Sequence, residues 1–212
     1  MKNKIKYVPP KLFQKLFPKT IWESEVNKIL LTFDDGPNPK STPIILSKLK
    51  ENSIKAIFFC VGENMERYPE LAKQIVDEGH MIGNHTQSHT NINFFNKEAS
   101  SNIARCSEIM KGCVGIDPNY FRPPHGRIGL RTEKLVEQNG LKNVMWSLLT
   151  YDYKNDINIV KFAVENYLEN NSIIVLHDSD KSSEIIGESI TLIVEKIKEN
   201  GYEIGEPAEC LK

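Results

Sequence analysis

Short apolar runs alternate along this chain with stretches whose apolar residues recur at helical spacing. Residues 28–33, Lys-Ile-Leu-Leu-Thr-Phe, read as a first strand. Thr42-Pro43 then supplies an N-cap and a proline at the first helical position, and Ile45, Leu46 and Leu49 give that helix an apolar stripe. Residues 54–61 are almost continuously apolar, as expected of a strand covered on both faces. The pattern recurs as a helix over 69–78 stopped by Gly79, a strand over 81–83 and a helix over 97–110. Strands are expected near 120–121, 144–148 and 173–176, with helices over 132–138 and 157–168. A last helix, 184–199, ends at Asn200-Gly201, and residues 202–204 close the series as a strand.

About seven strands with intervening helices predict an α/β fold with a parallel sheet. The pattern allows either a closed barrel or an open doubly wound sheet. Residues 1–27, with Pro9, Pro10 and Pro18, read as an extended arm packed on the domain formed by 28–212.

Where the polar residues fall narrows the picture. Asp34-Asp35 follow the first strand, His85 and His89 the third, Arg122 and its loop the fourth, Asp152 the fifth, and His177-Asp178 the sixth. In a parallel barrel the carboxyl ends of the strands share one mouth, where catalysis sits. Four of the five histidines fall there; His80 precedes its strand, points to the opposite end and reads as structural.

Each cluster has a bland reading beside a chemical one. His85 and His89 are four apart, so on a helical turn they would share a face and chelate one metal; otherwise they are two surface histidines. Thr32-Phe33-Asp34-Asp35-Gly36-Pro37 sets two carboxylates side by side, whose repulsion a cation relieves, or else forms a solvated turn. One aspartate plus two histidines makes the three-ligand set of a catalytic zinc site, leaving the second aspartate for base chemistry. Phe121-Arg122-Pro123-Pro124-His125-Gly126 is stiff enough to aim backbone N–H groups at an oxyanion, or is a plain proline turn. His177 ends a buried strand, as a general acid or as a core-capping imidazole.

Composition only removes alternatives. The net charge of −1 offers no field to attract nucleic acid or an anionic membrane, so function must rest on local chemistry. Cys60, Cys106, Cys113 and Cys210 form no CxxC pair and read as free thiols. The N-terminal apolar stretch is too short for a signal peptide or a membrane span; the cytoplasm is the default expectation, with a cell-envelope or exported role as the alternative, and a monomer is expected.

Taken in order, the segments 32–37, 85–89, 122–126, 146–153 and 175–177 resemble the polysaccharide deacetylase family, also called the NodB-homology domain or carbohydrate esterase family 4. The resemblance implies a distorted (β/α) barrel with seven strands. It implies a divalent ion on Asp35, His85 and His89, zinc first and cobalt or another divalent ion next. Asp34 would be the base, oriented and charge-balanced by Arg122, and His177 the acid, tuned by Asp152. The main-chain N–H of His125 would bind the oxyanion, with Pro123, Tyr153 and Val175 lining the substrate site. The implied substrate is an acetylated amino-sugar polymer or oligomer, peptidoglycan-like or chitin-like, which loses acetate. Another amide, such as a formamido sugar or a small N-acyl compound, would suit the same core. An inactive sugar-binding module would need neither base, acid nor metal ligands. The chain departs from the family pattern at His125, where tyrosine is usual, and at Leu149 and Tyr153, where aspartate and tryptophan are usual.

Overall fold

A computed structural model of the chain describes residues 7–92, 98–129 and 131–211. The apolar runs become seven strands: β1 (Leu30–Asp34), β2 (Ile57–Cys60), β3 (Met81–Asn84), β4 (Tyr120–Phe121), β5 (Lys142–Asn143), β6 (Leu148–Leu149) and β7 (Ile173–His177). They pair in the order β5-β4-β3-β2-β1-β7-β6, every neighbouring pair parallel. Edge strands β5 and β6 stand at opposite ends of that order and do not pair, so the sheet is not closed; it curls as a half-barrel, a distorted form of the (β/α) barrel.

The connecting helices are α1 (Lys11–Gln14), α2 (Thr42–Glu51), α3 (Gly62–Arg67), α4 (Pro69–Asp77), α5 (Ala99–Val114), α6 (Thr132–Gln138), α7 (Ile157–Tyr167), α8 (Ile186–Glu199) and α9 (Pro207–Cys210). Side chains alternate across each strand. Leu31, Phe33, Phe58, Cys60, Ile174 and Leu176 pack outward with the helices, while Leu30, Ile57, Phe59 and Ile173 pack inward with Cys210 and Leu211. The inward series on β1 is therefore Leu30, Thr32, Asp34, and on β7 it is Ile173, Val175, His177. Apolar side chains fill the bottom of the barrel, and ionisable ones reach its mouth.

Several expectations change in detail. Of the strand expected over 144–148 only Leu148 lies in one, β6, while β5 precedes that range. Val144 instead bridges Ile21 of the N-terminal segment, and the carbonyls of Val144 and Met145 accept hydrogen bonds from buried Arg122. The expected closing strand contributes a single bridge, Ile29 to Ile204. Helix α3 was not legible, because only Gly62 and Met65 of it are buried and it shows no stripe. Tyr68, before Pro69, leaves helical geometry and separates α3 from α4. Thr42 is inside α2 rather than its N-cap; the cap is Ser41, without a side-chain capping bond. Helix α5 runs on to Gly115, whose φ of 72° ends it; the expected start at Lys97 lies outside the described residues. Among the described residues no helix is long and apolar enough to cross a membrane.

His80 is buried at the amino end of β3, where its Nδ1 accepts from the Ala56 amide at 3.2 Å. Burial and nearby Lys55 pull its pKa down to about 4, so it serves as a neutral acceptor. All four cysteines are free.

Gly83 is a packing requirement. A Cβ there would lie 2.6 Å from the Phe59 ring, and that ring lies under the Arg122 guanidinium at 4.2 Å. Gly83→Ala is expected to destabilise the fold by about 1–3 kcal/mol, the usual cost of overpacking. Denaturant midpoints measure this; an unchanged midpoint would show that the strands have room to separate.

Candidate active site

Strand register brings the two ends of the proposed chemistry together. Asp34 of β1 and His177 of β7 are direct partners in the parallel ladder, and the Asp178 amide donates to the Asp34 carbonyl at 2.7 Å. Two residues farther in, Thr32 faces Val175. A residue-period argument could place each side chain on a face, but only the register sets them side by side.

Arg122 fixes Asp34. The arginine is fully buried, and its Nη1 donates to Asp34 Oδ1 at 2.8 Å and to Thr32 Oγ1 at 2.6 Å. Its Nε and Nη2 donate to the carbonyls of Val144 and Met145. The Arg122 backbone carbonyl accepts from His85 Nδ1 at 2.7 Å. That bond places the proton on Nδ1 and leaves Nε2 free to bind.

His85 Nε2 stands 3.4 Å and His89 Nε2 3.1 Å from Asp35 Oδ1. Donors held about 2.0–2.1 Å from one tetrahedral cation stand roughly 3.3–3.4 Å apart. The three ligand atoms lie within 4.8 Å of one another, so this set fits a divalent ion. Burial alone would raise the Asp35 carboxyl, yet hydrogen bonding with His85 and His89 holds it well below its usual value. The histidines do not share a helical turn. They lie in a loop after β3 in which Thr86 and His89 have φ of 69° and 52°. The Asn84 side chain accepts from the Thr86 amide, and Asn102 accepts from the amides of Gln87 and Ser88.

Asp152 receives His177 twice. The backbone amide of His177 donates to Oδ2 and Nδ1 donates to Oδ1, both at 2.7 Å. Burial opposes a charged imidazole, but Asp152 outweighs it and His177 is raised to about 9. His177 is therefore held protonated, with Nε2 free of Asp152. Tyr153 meets its ring edge-on at 4.8 Å between centroids.

His125 has φ 58°, and its ring packs against His89 at 4.5 Å between centroids. Burial, then His89 and Arg127, lower its pKa. Next to it, Gly126 has φ 62°, and any Cβ there would strike Trp146 at 2.2 Å. A cavity of about 270 Å³ joins these groups; Asp34, Asp35, His85, His89, His125, Tyr153, Val175 and His177 all line it. Arg122 and Asp152 stand behind it as supports. Pro123 precedes the His125 turn and does not line the cavity.

The sequence reading missed Asp178. It is buried, accepts hydrogen bonds from Ser41 at 2.5 Å and Thr42 at 2.6 Å, and its carboxylate would meet a Cβ on Gly36 at 2.2 Å. Burial raises its carboxyl to about 7 despite those donors. It latches the loop after β1 to the loop after β7. Its only sequence signal was adjacency to His177. Trp146, Leu149 and Lys181 also line the cavity; Lys181 carried no signal.

Comparison with known proteins places this geometry. A profile of the family described as polysaccharide deacetylase matches residues 23–144. A peptidoglycan-N-acetylglucosamine deacetylase of Bacillus cereus is 36% identical over 180 residues, covering 82% of this chain and 64% of that protein. The chain thus spans less than two-thirds of that relative's length. A crystallised peptidoglycan N-acetylglucosamine deacetylase, in complex with an N-oxidanyl-benzamide, superposes with a TM-score of 0.84 at 29% identity, covering 95% of this chain and 96% of that one. A pseudoenzyme of carbohydrate esterase family 4 from Bacillus anthracis superposes at 0.81 and 25% identity, covering 94% and 71%. The fold by itself therefore does not decide activity; the side chains must.

The donor set makes its own prediction. His85→Ala and His89→Ala should each weaken divalent-metal binding by roughly 10² or more, since loss of mere supporting partners costs 10–100-fold. Melting in chelator should stay cooperative. Full metal content in the double variant, by elemental analysis, would remove the site.

Proposed function

This chain belongs to the polysaccharide deacetylase family, and from that premise we propose that it hydrolyses the N-acetyl group of amino sugars in a polysaccharide or oligosaccharide, releasing acetate. One observation carries the reading. A carboxylate backed by a buried arginine and an imidazole backed by a buried carboxylate are register partners beside a three-donor metal set. A module that only bound sugar would need none of these supports.

Asp34 is the base. Arg122 holds it by a 2.8 Å hydrogen bond at the edge of the cavity, where it takes a proton from the attacking water. Asp35, His85 and His89 would hold a divalent ion, zinc by donor type, which supplies Lewis acidity to the water and the acetyl carbonyl. The main-chain N–H of His125 would bind the developing oxyanion, the Gly126 and Arg127 amides being engaged by the carbonyls of Pro123 and Pro124. Protonated His177 gives its Nε2 proton to the leaving nitrogen, and Asp152 stabilises the charge until then. Leu149 and Val175 offer the acetyl methyl an apolar wall, and partly exposed Trp146 and Tyr153 offer faces for a sugar ring. Aromatic surface open to solvent favours a glycan chain over a small enclosed substrate. Acetate release from acetylated glycans by metal-loaded protein, with a chelated control, tests the reading. Release from no member of the panel would reject it.

Asp34→Asn should keep metal content and lower turnover by roughly 10² to 10⁴. If Asp34→Asn loses metal while Asp35→Asn keeps it, the two aspartates have exchanged roles.

The acid is tested by pH. His177 acts protonated, so turnover falls as pH rises through its pKa. Asp152 raises that pKa; removing its charge must lower it. Asp152→Asn should therefore move the alkaline limb of the turnover–pH profile to lower pH by about 1–3 units. A limb that stays in place, with turnover still reduced, would make Asp152 a purely structural support. A limb unmoved in His177→Ala as well would assign the acid elsewhere.

A further inference from the structure

Lys181 lines the catalytic cavity four residues beyond His177, and nothing in the deacetylation chemistry uses it. Its backbone is held firmly. Ser182, fully buried, donates its hydroxyl to the His177 carbonyl and its amide to the Ser179 carbonyl at 3.2 Å, while Ser183 donates to the Asp180 carbonyl at 3.0 Å. The Asp178 latch fixes the start of the same loop. The cation is thus carried on a positioned loop rather than on a free tail.

The carboxylates around it are already committed. Asp34 is matched by Arg122, Asp35 by the two imidazoles, and Asp152 by His177. Neighbouring Asp180 lies 3.4 Å from Lys40 and accepts from Asn38. Among the described residues, no ion pair or side-chain hydrogen bond engages Lys181. The rest of the non-catalytic lining is apolar or aromatic: Trp146, Leu149, Tyr153 and Val175. Lys181, an exposed residue, is consequently the one charged side chain of that lining without a partner among the described residues. The cavity, about 270 Å³, is at the small end for ligand pockets, so the group Lys181 meets belongs to the reacting sugar or to its immediate substituent.

We propose that Lys181 recognises a carboxylate on the substrate, so that the site prefers an acetylated amino sugar bearing a carboxylate over its neutral counterpart. This rests on the deacetylase reading. A lysine suits the task as a mobile point charge without the geometric demand of a guanidinium. Part-exposed pairing gives a preference of modest size that salt should weaken.

The test uses the full chain, metal-loaded, and four soluble glycans. These are a neutral N-acetylglucosamine oligomer, the same oligomer with an ether-linked carboxylate, its amidated form, and a form in which the carboxylate is on an attached peptide. Acetate release gives kcat/KM, and calorimetry on chelated protein gives Kd without turnover. The carboxylated glycans are expected to be preferred over the amidated one, through KM and Kd rather than kcat. Lys181→Ala should reduce that preference roughly fivefold, Lys181→Glu should reverse it, and Lys181→Arg should keep it within about twofold, as for one part-exposed ion pair. An effect confined to the ether-linked or to the peptide-linked carboxylate identifies which one Lys181 meets. A preference unchanged in both Lys181→Ala and Lys181→Glu overturns the proposal. Absence of acetate release from all four glycans rejects the deacetylase reading instead, and the Kd ratios still decide the role of Lys181.

Discussion

The buried guanidinium of Arg122 is the constraint on which the mouth of this barrel depends. A fully buried charge is tolerable only when it is paired and hydrogen-bonded throughout. Arg122 meets that demand by drawing in Asp34 and Thr32 from β1, three strands away, and the carbonyls of Val144 and Met145 from the segment that follows neighbouring β5. Its own carbonyl then orients His85, and its amide binds the Asn84 carbonyl. One residue therefore aims the candidate base, sets the tautomer of a candidate metal ligand and diverts the chain between β5 and β6. Removing it would leave the buried Asp34 carboxylate without its cationic partner, so its loss should disturb the whole mouth.

A second layer of fixing comes from the loops. Asp178 ties the turn after β1 to the turn after β7 through Ser41 and Thr42, and the absence of a side chain at Gly36 lets it approach. This explains why Thr42 does not cap its helix: its hydroxyl is engaged by a carboxylate that arrives from 136 residues away. Asn84 and Asn102 do the same for the His85–His89 loop, with hydrogen bonds that replace the helical turn expected there.

Backbone strain is concentrated at the same mouth. Among the described residues, seven that are not glycine have positive φ, and five of them, Asp35, Thr86, His89, His125 and Tyr151, belong to the site loops. Such conformations cost about 1–3 kcal/mol each and persist only where surroundings over-determine them. The latches around Arg122, Asp178 and Asp152 supply that over-determination. Rigid donors at fixed separation are what a metal set and an oxyanion turn both require.

What the sequence determined by itself was the alternation of strands and helices, the identity of the polar residues at strand ends, and the family. These are local properties: apolar periodicity, turn residues and five ordered motifs survive in one dimension. The short strand β5, the bounds of β6, the helix α3 and the shape of the His85–His89 loop were not legible, because each owes its shape to a partner distant in the chain rather than to its own pattern. The roles of Asp178 and Lys181 were hidden for the same reason. A carboxylate gains meaning only when burial and two hydroxyls surround it, and a lysine only when every nearby carboxylate is already taken. Register, the fact that Asp34 and His177 are neighbours at all, was decided by the parallel pairing of β1 with β7. A two-residue alternation fixes which face a side chain occupies, but not which side chain of another strand lies beside it.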